Sequence, residues 1–210
     1  MEVHMDGYPV TVQIDYSDQS DRLTVLFRIF MVIPIFIILA LLIGGGDSDP
    51  DAAERVYYVG TGGIVVIPTI LMILFRRKYP RWWFDWNLEL TRFATRVFSY
   101  LLLLRDEYPS TDEEQAVHID ILYPDAEKDL NRWLPLIKWF LAIPHIVILA
   151  LLGVAVIFNT IITWFIILIT GSYPRGLFDF TVGVIRWSIR VEAYAFLLTT
   201  DQYPPFTLSD

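Results

Sequence analysis

The chain has 210 residues, of which 55% are hydrophobic and 15% aromatic, and its formal net charge is −8 at neutral pH. Soluble domains are about 45–50% apolar, and the excess here lies in long runs, which indicates a membrane protein. The negative charge argues against binding to nucleic acid, whose phosphates require a basic surface. The chain contains no Cys, which excludes disulfides and thiolate chemistry.

Two short stretches alternate between apolar and polar residues. Residues 10–16 follow this pattern, and residues 117–123 repeat it 107 positions later. A period of two is typical of a half-buried strand, and a lone strand is unstable. The sequence therefore predicts one small cytoplasmic β-sheet built from both strands, with residues 205–208 as a candidate addition. Two unpaired loops near the membrane are the alternative.

Four apolar segments predict two transmembrane helical hairpins. About 20 apolar residues are enough to cross a bilayer core of roughly 30 Å. No Asp, Glu, Lys or Arg occurs between Trp139 and Pro174, and a single helix of that length would measure about 54 Å. We therefore expect a turn near Gly153, and we expect Arg28 to extend from its helix to the membrane surface. The predicted spans are residues 23–43 and 56–75 in the first hairpin and residues 133–153 and 155–171 in the second.

The basic residues predict the orientation in the membrane. Of the 16 Lys and Arg residues, only Arg55 falls in the loop of the first hairpin. Because basic segments stay on the cytoplasmic side, we expect a multi-pass protein of the cell membrane with both termini in the cytoplasm. Both halves then have the same orientation, so they form two tandem parallel repeats.

A motif built around Tyr-Pro occurs twice, directly after an apolar run each time. The offset between the copies is 94 residues at the first Tyr-Pro and 95 at the last. The duplication predicts a first repeat over residues 1–115 and a second over 116–210. The turn residues of the motif are Tyr79, Pro80, Tyr108 and Pro109 in the first copy and Tyr173, Pro174, Tyr203 and Pro204 in the second.

Each motif contains a predicted amphipathic helix, over residues 81–105 and 176–199. Its narrow polar stripe and dense aromatic residues favour a helix lying in the membrane interface. A third and a sixth spanning helix are the alternative, although several charges within one span would be costly. The stripes consist of Asp85, Glu89, Arg92 and Arg96 in the first copy and Asp179, Gly183, Arg186 and Arg190 in the second.

Three roles remain open for the charged residues of the stripes. They could form pairs within each helix and complement the helix dipole. They could lock the repeats together, with Asp85 bound to Arg186 or Arg190 and Asp179 bound to Arg92 or Arg96. The four arginines could instead bind lipid phosphate or an anionic partner.

The segment YPRGLFDFTVGVIRWSIRVEAYAFLLTTDQYPPF (residues 173–206) resembles a prokaryotic integral-membrane family of unknown function. The resemblance extends over nearly the whole chain in two copies, and the second copy fits better. In the first copy Trp82 stands at the position of Gly176 and Glu89 at that of Gly183. The resemblance implies a membrane protein, and it implies no reaction and no catalytic residue.

The sequence shows no pattern that would support catalysis or a bound cofactor. Its three histidines, His4, His118 and His145, lack the spacing of a metal site, and HExxH and GxSxG are absent. His145 and Asn159 are candidate polar groups within the membrane, where an ionisable residue is often functional. A neutral, hydrogen-bonded histidine is the competing interpretation.

These observations predict a non-catalytic accessory or scaffold protein of the membrane. Its cytoplasmic face would bind lipid, a membrane-protein partner or a second copy of the chain. The alternative is a small lipid or solute transporter with a cavity between the repeats, lined by His145, Asn159 and the arginines. An enzyme acting on lipid head groups is a third hypothesis, and it would require a pair of carboxylates in one interfacial cleft.

Overall fold

The computed structural model describes residues 8–43, 62–111, 113 and 115–209. Six α-helices and two short strands make up its regular structure, and a π-helical turn over Met72–Arg76 extends α2. In chain order the elements are β1 (Val10–Ile14), α1 (Arg22–Ile43), α2 (Gly62–Leu71), α3 (Arg81–Leu101), β2 (Val117–Ile121), α4 (Pro135–Leu141), α5 (Ile143–Thr170) and α6 (Arg175–Ala195).

The predicted pairing of the two strands is confirmed. β1 and β2 run antiparallel, with Val12 opposite Ile119 at the centre of the ladder. Within the described residues the sheet has two strands, so residues 205–208 do not extend it. The apolar side chains of both strands face the main hydrophobic core, where they pack with Tyr79 and Tyr173 from the two Tyr-Pro turns.

The prediction of a multi-pass protein with two transmembrane hairpins is wrong. Among the described residues, two helices are long and apolar enough to cross a membrane, over residues 22–42 and 143–170. The second hairpin is the single helix α5, which continues through Gly153 without a turn. A glycine inside a helix costs only about 1 kcal/mol, and no proline or charge interrupts the helix at this point. α2 and its π-helical turn are too short to qualify, and residues 44–61 lie outside the described part.

α5 packs antiparallel along α6. Ala142, just before α5, belongs to the same buried apolar cluster as Tyr194 near the end of α6, whereas Asn159 donates to the carbonyl of Leu177 near its start, at 3.0 Å. Helices that lie side by side over this length have similar tilts in a membrane. If α5 crosses a membrane, α6 is tilted with it, which does not agree with the predicted interfacial helix over residues 176–199.

Candidate functional site

Each Tyr-Pro turn binds the strand that belongs to the other half of the sequence. The hydroxyl of Tyr16, just after β1, donates to the carbonyl of Tyr173 at 2.6 Å. Its ring meets Phe178 edge-on with centroids 5.0 Å apart, and the Arg175 guanidinium lies 4.5 Å from the ring centroid. Tyr-Pro-Arg and the following Phe thus hold the end of β1.

The same contacts recur at the other turn. The hydroxyl of Tyr123, just after β2, donates to the carbonyl of Tyr79 at 2.5 Å. Its ring meets Phe84 edge-on at 5.2 Å, and the Arg81 guanidinium lies 4.9 Å from its centroid. We call these two sets of contacts the tyrosine clamps. One consists of Tyr16 and residues 173–178, and the other consists of Tyr123 and residues 79–84.

The turn prolines define where the amphipathic helices begin. Pro80 and Pro174 directly precede α3 and α6. Proline suits the start of a helix, because the first backbone N–H groups have no partner within the helix and proline has no such group. The second pair of turn prolines, Pro109 and Pro204, is buried. The tyrosines beside them meet tyrosines of α3 and α6 edge-on. The ring centroids of Tyr108 and Tyr100 lie 5.8 Å apart, and those of Tyr203 and Tyr194 lie 5.7 Å apart.

Two arginines of the stripes bind backbone carbonyls of the sheet. Arg92 Nε of α3 donates to the carbonyl of Ile119 at 2.9 Å, and Arg186 Nε of α6 donates to the carbonyl of Val12 at 3.3 Å. Ile119 and Val12 are the opposed residues at the centre of the sheet. Each amphipathic helix therefore holds the strand contributed by the other half.

The other two stripe arginines bind the segments that follow their own helices. Arg96 Nη1 donates to the carbonyl of Ser110 at 3.1 Å, and Arg190 Nη1 donates to that of Ser209 at 2.8 Å. Both arginines are buried. All four stripe arginines therefore have contacts within the protein.

The acidic residues of the stripes pair close to their own positions. Asp85 forms its ion pair with Arg81 on the same helix, at 3.5 Å, and Glu89 pairs with Arg92 at 2.6 Å. Asp179 is exposed. Between the halves, the stripe arginines bind backbone carbonyls and, for Arg92, the Asp120 carboxylate. The alternative in which Asp85 pairs with Arg186 or Arg190 is absent from the described contacts.

Sequence reasoning missed two buried ion pairs, which occupy corresponding positions in the two halves of the chain. Arg28, which is 1% exposed, pairs with Asp106, donates to the carbonyl of Tyr100 at 3.0 Å and covers its ring. The expectation that Arg28 extends to the membrane surface is therefore wrong, because Asp106 supplies an opposite charge beside the first helix.

The second ion pair joins Lys138 to Asp201, 2.6 Å apart. Lys138 is fully buried, donates to the carbonyl of Thr200 at 2.7 Å and lies 5.2 Å from the centroid of the Tyr194 ring. Burial lowers the pKa of Lys138, and Asp201 opposes that shift. Lys138 follows Arg28 by 110 positions, and the same offset separates Ile33-Pro34 from Ile143-Pro144 in the two apolar runs. This shared offset was the signal that could have revealed both pairs.

His145 and Asn159 join α5 to α6. Trp187 Nε1 donates to His145 Nδ1 at 3.0 Å, so a neutral His145 ring carries its proton on Nε2. Phe206 stacks on the same ring with centroids 3.9 Å apart. Asn159 Nδ2 donates to Thr181 Oγ1 at 2.8 Å. Both polar residues therefore serve the packing of two helices.

A cavity of about 620 Å³ lies between α3 and α6, with α5 and α2 completing its walls. His145, Asn159 and the stripe arginines do not line it. Its polar groups include Glu192, which accepts a hydrogen bond from Thr91 Oγ1 at 3.3 Å, and Asn87. Burial raises the pKa of Glu192 to about 7. Within the described ranges, no cluster of three or more His, Cys, Asp or Glu residues could hold a metal ion.

Residues 133–207 match the model of a family described as "Domain of unknown function (DUF4389)". This region contains the second Tyr-Pro motif, α5 and α6, and it covers about a third of the chain. Comparison with curated proteins and with solved structures gave no match.

Proposed function

We propose that the protein is a non-catalytic accessory or scaffold protein of the cytoplasmic membrane. It attaches through an apolar face and presents a polar face, with both termini in the cytoplasm, to a protein partner. The observation that carries the proposal is the separation of these two surfaces, together with the use of the stripe arginines for internal contacts.

Large exposed apolar side chains on α1, α4 and α5 support the attachment. Phe30 and Leu41 on α1, and Leu151 and Ile169 on α5, each leave more than two thirds of their surface exposed. An apolar surface of this extent needs a non-aqueous partner. Aromatic residues beside it, Trp133 and Trp139, are suited to the lipid–water boundary.

The outer face of the sheet supports partner binding. Asp15 and Asp120 are exposed on the side of the sheet opposite its core. Glu89 lies beside Asp120, because Arg92 bonds to both carboxylates. This acidic face consists of Glu89, Asp15 and Asp120. It would repel anionic lipid head groups and attract a partner with basic side chains.

The experiment compares partner capture by protein in nanodiscs, using membrane extracts of the source cells and quantitative mass spectrometry. We expect Asp15→Asn/Asp120→Asn to lose a partner that the wild type retains at low salt. Glu127→Gln/Asp179→Asn removes two exposed carboxylates elsewhere and should retain it. Equal capture by both double variants would refute the proposed face.

A small transporter is the second candidate function, and the cavity between α3 and α6 favours it. Its residues differ from those predicted for a transporter, because His145, Asn159 and the arginines are occupied elsewhere. Uptake of a solute into liposomes that depends on Glu192 would favour transport over the scaffold role.

A further inference from the structure

The walls of the cavity between α3 and α6 are almost wholly apolar. Leu90, Ala94 and Phe98 come from α3, Val191 from α6 and Leu149 from α5. Its volume of about 620 Å³ lies within the usual range for small-molecule sites of roughly 300–1,000 Å³. An apolar site of this size selects ligands by the few polar groups it contains.

Two oxygen acceptors are placed among these apolar walls. Glu192 has Thr91 as its side-chain hydrogen-bond donor and forms no ion pair within the described residues. Asn87 is 3% exposed, and its Nδ2 donates to the carbonyl of Trp83, whereas its Oδ1 has no partner in the described part of the chain. Asn87 and Thr91 lie one helical turn apart on α3, so the hydrogen bond from Thr91 holds the Glu192 carboxyl group of α6 within about one helical turn of Asn87.

Glu192 is also absent from the first copy of the motif. Phe98 occupies the equivalent position, 94 residues earlier, and it lines the same cavity. The buried ion pairs and the tyrosine clamps occur in both halves, but this carboxyl group occurs in one. It is therefore not required by the repeated framework.

We propose that the cavity binds an amphipathic amine, with its ammonium group on Glu192 and Asn87 Oδ1 and its apolar body against α3, α5 and α6. A carboxylate and an amide oxygen are acceptors without a cation of their own, which suits a ligand that brings both hydrogen-bond donors and positive charge. The site is separate from the acidic face of the sheet, so the failure of one proposal leaves the other standing.

The affinity for an ammonium ligand depends on the ionisation of Glu192. Among the described lining residues from α2, α3, α5 and α6, Glu192 is the one ionisable group. Because burial raises its pKa to about 7, the carboxylate forms as the pH rises through neutrality. Affinity for an alkylammonium ion should therefore increase between pH 5.5 and pH 8, whereas affinity for the matching alcohol should stay constant.

The test measures binding of octylammonium and of octanol by calorimetry in phosphatidylglycerol nanodiscs, with empty nanodiscs subtracted. We expect the wild type to prefer octylammonium, with an affinity at pH 8 roughly thirtyfold above that at pH 5.5. The reason is that a carboxyl group with a pKa of about 7 is about 90% ionised at pH 8 and about 3% ionised at pH 5.5. Glu192→Gln keeps the size of the side chain. It should remove the preference for octylammonium and leave the affinity for octanol unchanged. Ala150→Leu, which fills the cavity, should weaken both ligands.

Equal octylammonium binding by wild type and Glu192→Gln would overturn the proposal, as would the absence of binding to the wild type. Phosphatidylethanolamine nanodiscs distinguish two sources of the ligand. Competition from that lipid would identify an aminolipid head group, whereas unchanged binding would identify a soluble amine. A thermal-unfolding control in each variant separates loss of the site from loss of the fold.

Discussion

At the scale of single residues, one aspartate of each motif has two structural roles. Asp201 pairs with buried Lys138 and accepts from the backbone N–H of Asn131 at 2.5 Å. Asp106 pairs with Arg28 and accepts from the backbone N–H of Asp21 at 2.8 Å. Each aspartate thus fixes a buried cation and the start of an apolar segment together.

Replacing Asp201 by Asn should leave Lys138 buried without a counter-charge. We expect the free energy of unfolding to fall by about 3 kcal/mol, because the remaining buried charge is no longer compensated by an opposite charge. The double variant Lys138→Met/Asp201→Asn should recover part of this loss. Thermal unfolding in nanodiscs provides the measurement.

Lys128→Met is the matched control, since it removes an ammonium from an exposed pair with Asp125. Exposed pairs contribute about 0–1 kcal/mol. An Asp201→Asn variant as stable as Lys128→Met would show that the buried pair does not support the fold.

At the scale of elements, the C-terminal tail explains a difference between the two amphipathic helices. A Cβ atom added at Gly183 of α6 would lie 2.8 Å from Leu208 Cβ and 2.9 Å from the Leu208 carbonyl oxygen. Arg186 Nη1 donates to this same carbonyl at 3.0 Å. The tail therefore crosses α6 where the first copy has the exposed Glu89, and only glycine allows so close an approach.

Gly183→Ala should displace the tail and cost roughly 1–3 kcal/mol, the usual penalty for overpacking. Proteolysis of the C-terminal segment should become faster in the variant. Gly176→Ala lies on the same helix with open space around the added Cβ, so it should keep or raise stability. Identical proteolysis of the two variants would contradict the close packing of the tail.

At the scale of the whole molecule, the halves exchange their strands. β1 precedes α1 in the chain but is held by Arg186 and by the clamp that contains Tyr173, whereas β2 is held by Arg92 and by the clamp that contains Tyr79. The sheet therefore belongs to both halves, and the boundary between residues 115 and 116 remains a prediction. Neither half can complete these contacts alone.

The sequence predicted those features that depend on local pattern. Alternation located both strands, and the Tyr-Pro turns marked the starts of α3 and α6. The arginine contacts were not predictable, because their acceptors are backbone carbonyls that any residue carries. The prediction of a hairpin near Gly153 was wrong, because the length of an uncharged run and the thickness of a membrane do not specify a turn. The segment forms the single helix α5, which contacts α6 along its length.

The most direct test of the account is the double variant Arg92→Met/Arg186→Met, measured for both thermal unfolding and partner capture in nanodiscs. Hydrogen bonds from charged donors contribute roughly 2 kcal/mol each, so we predict a clearly lower melting temperature. Below that temperature the partner should still be captured, because the three carboxylates of the acidic face remain and lose only the cation that Arg92 supplied. Arg76→Met/Lys128→Met, which removes two exposed cations, should alter neither property. Unchanged stability together with loss of the partner would contradict the account, because the stripe arginines would then be the binding site itself.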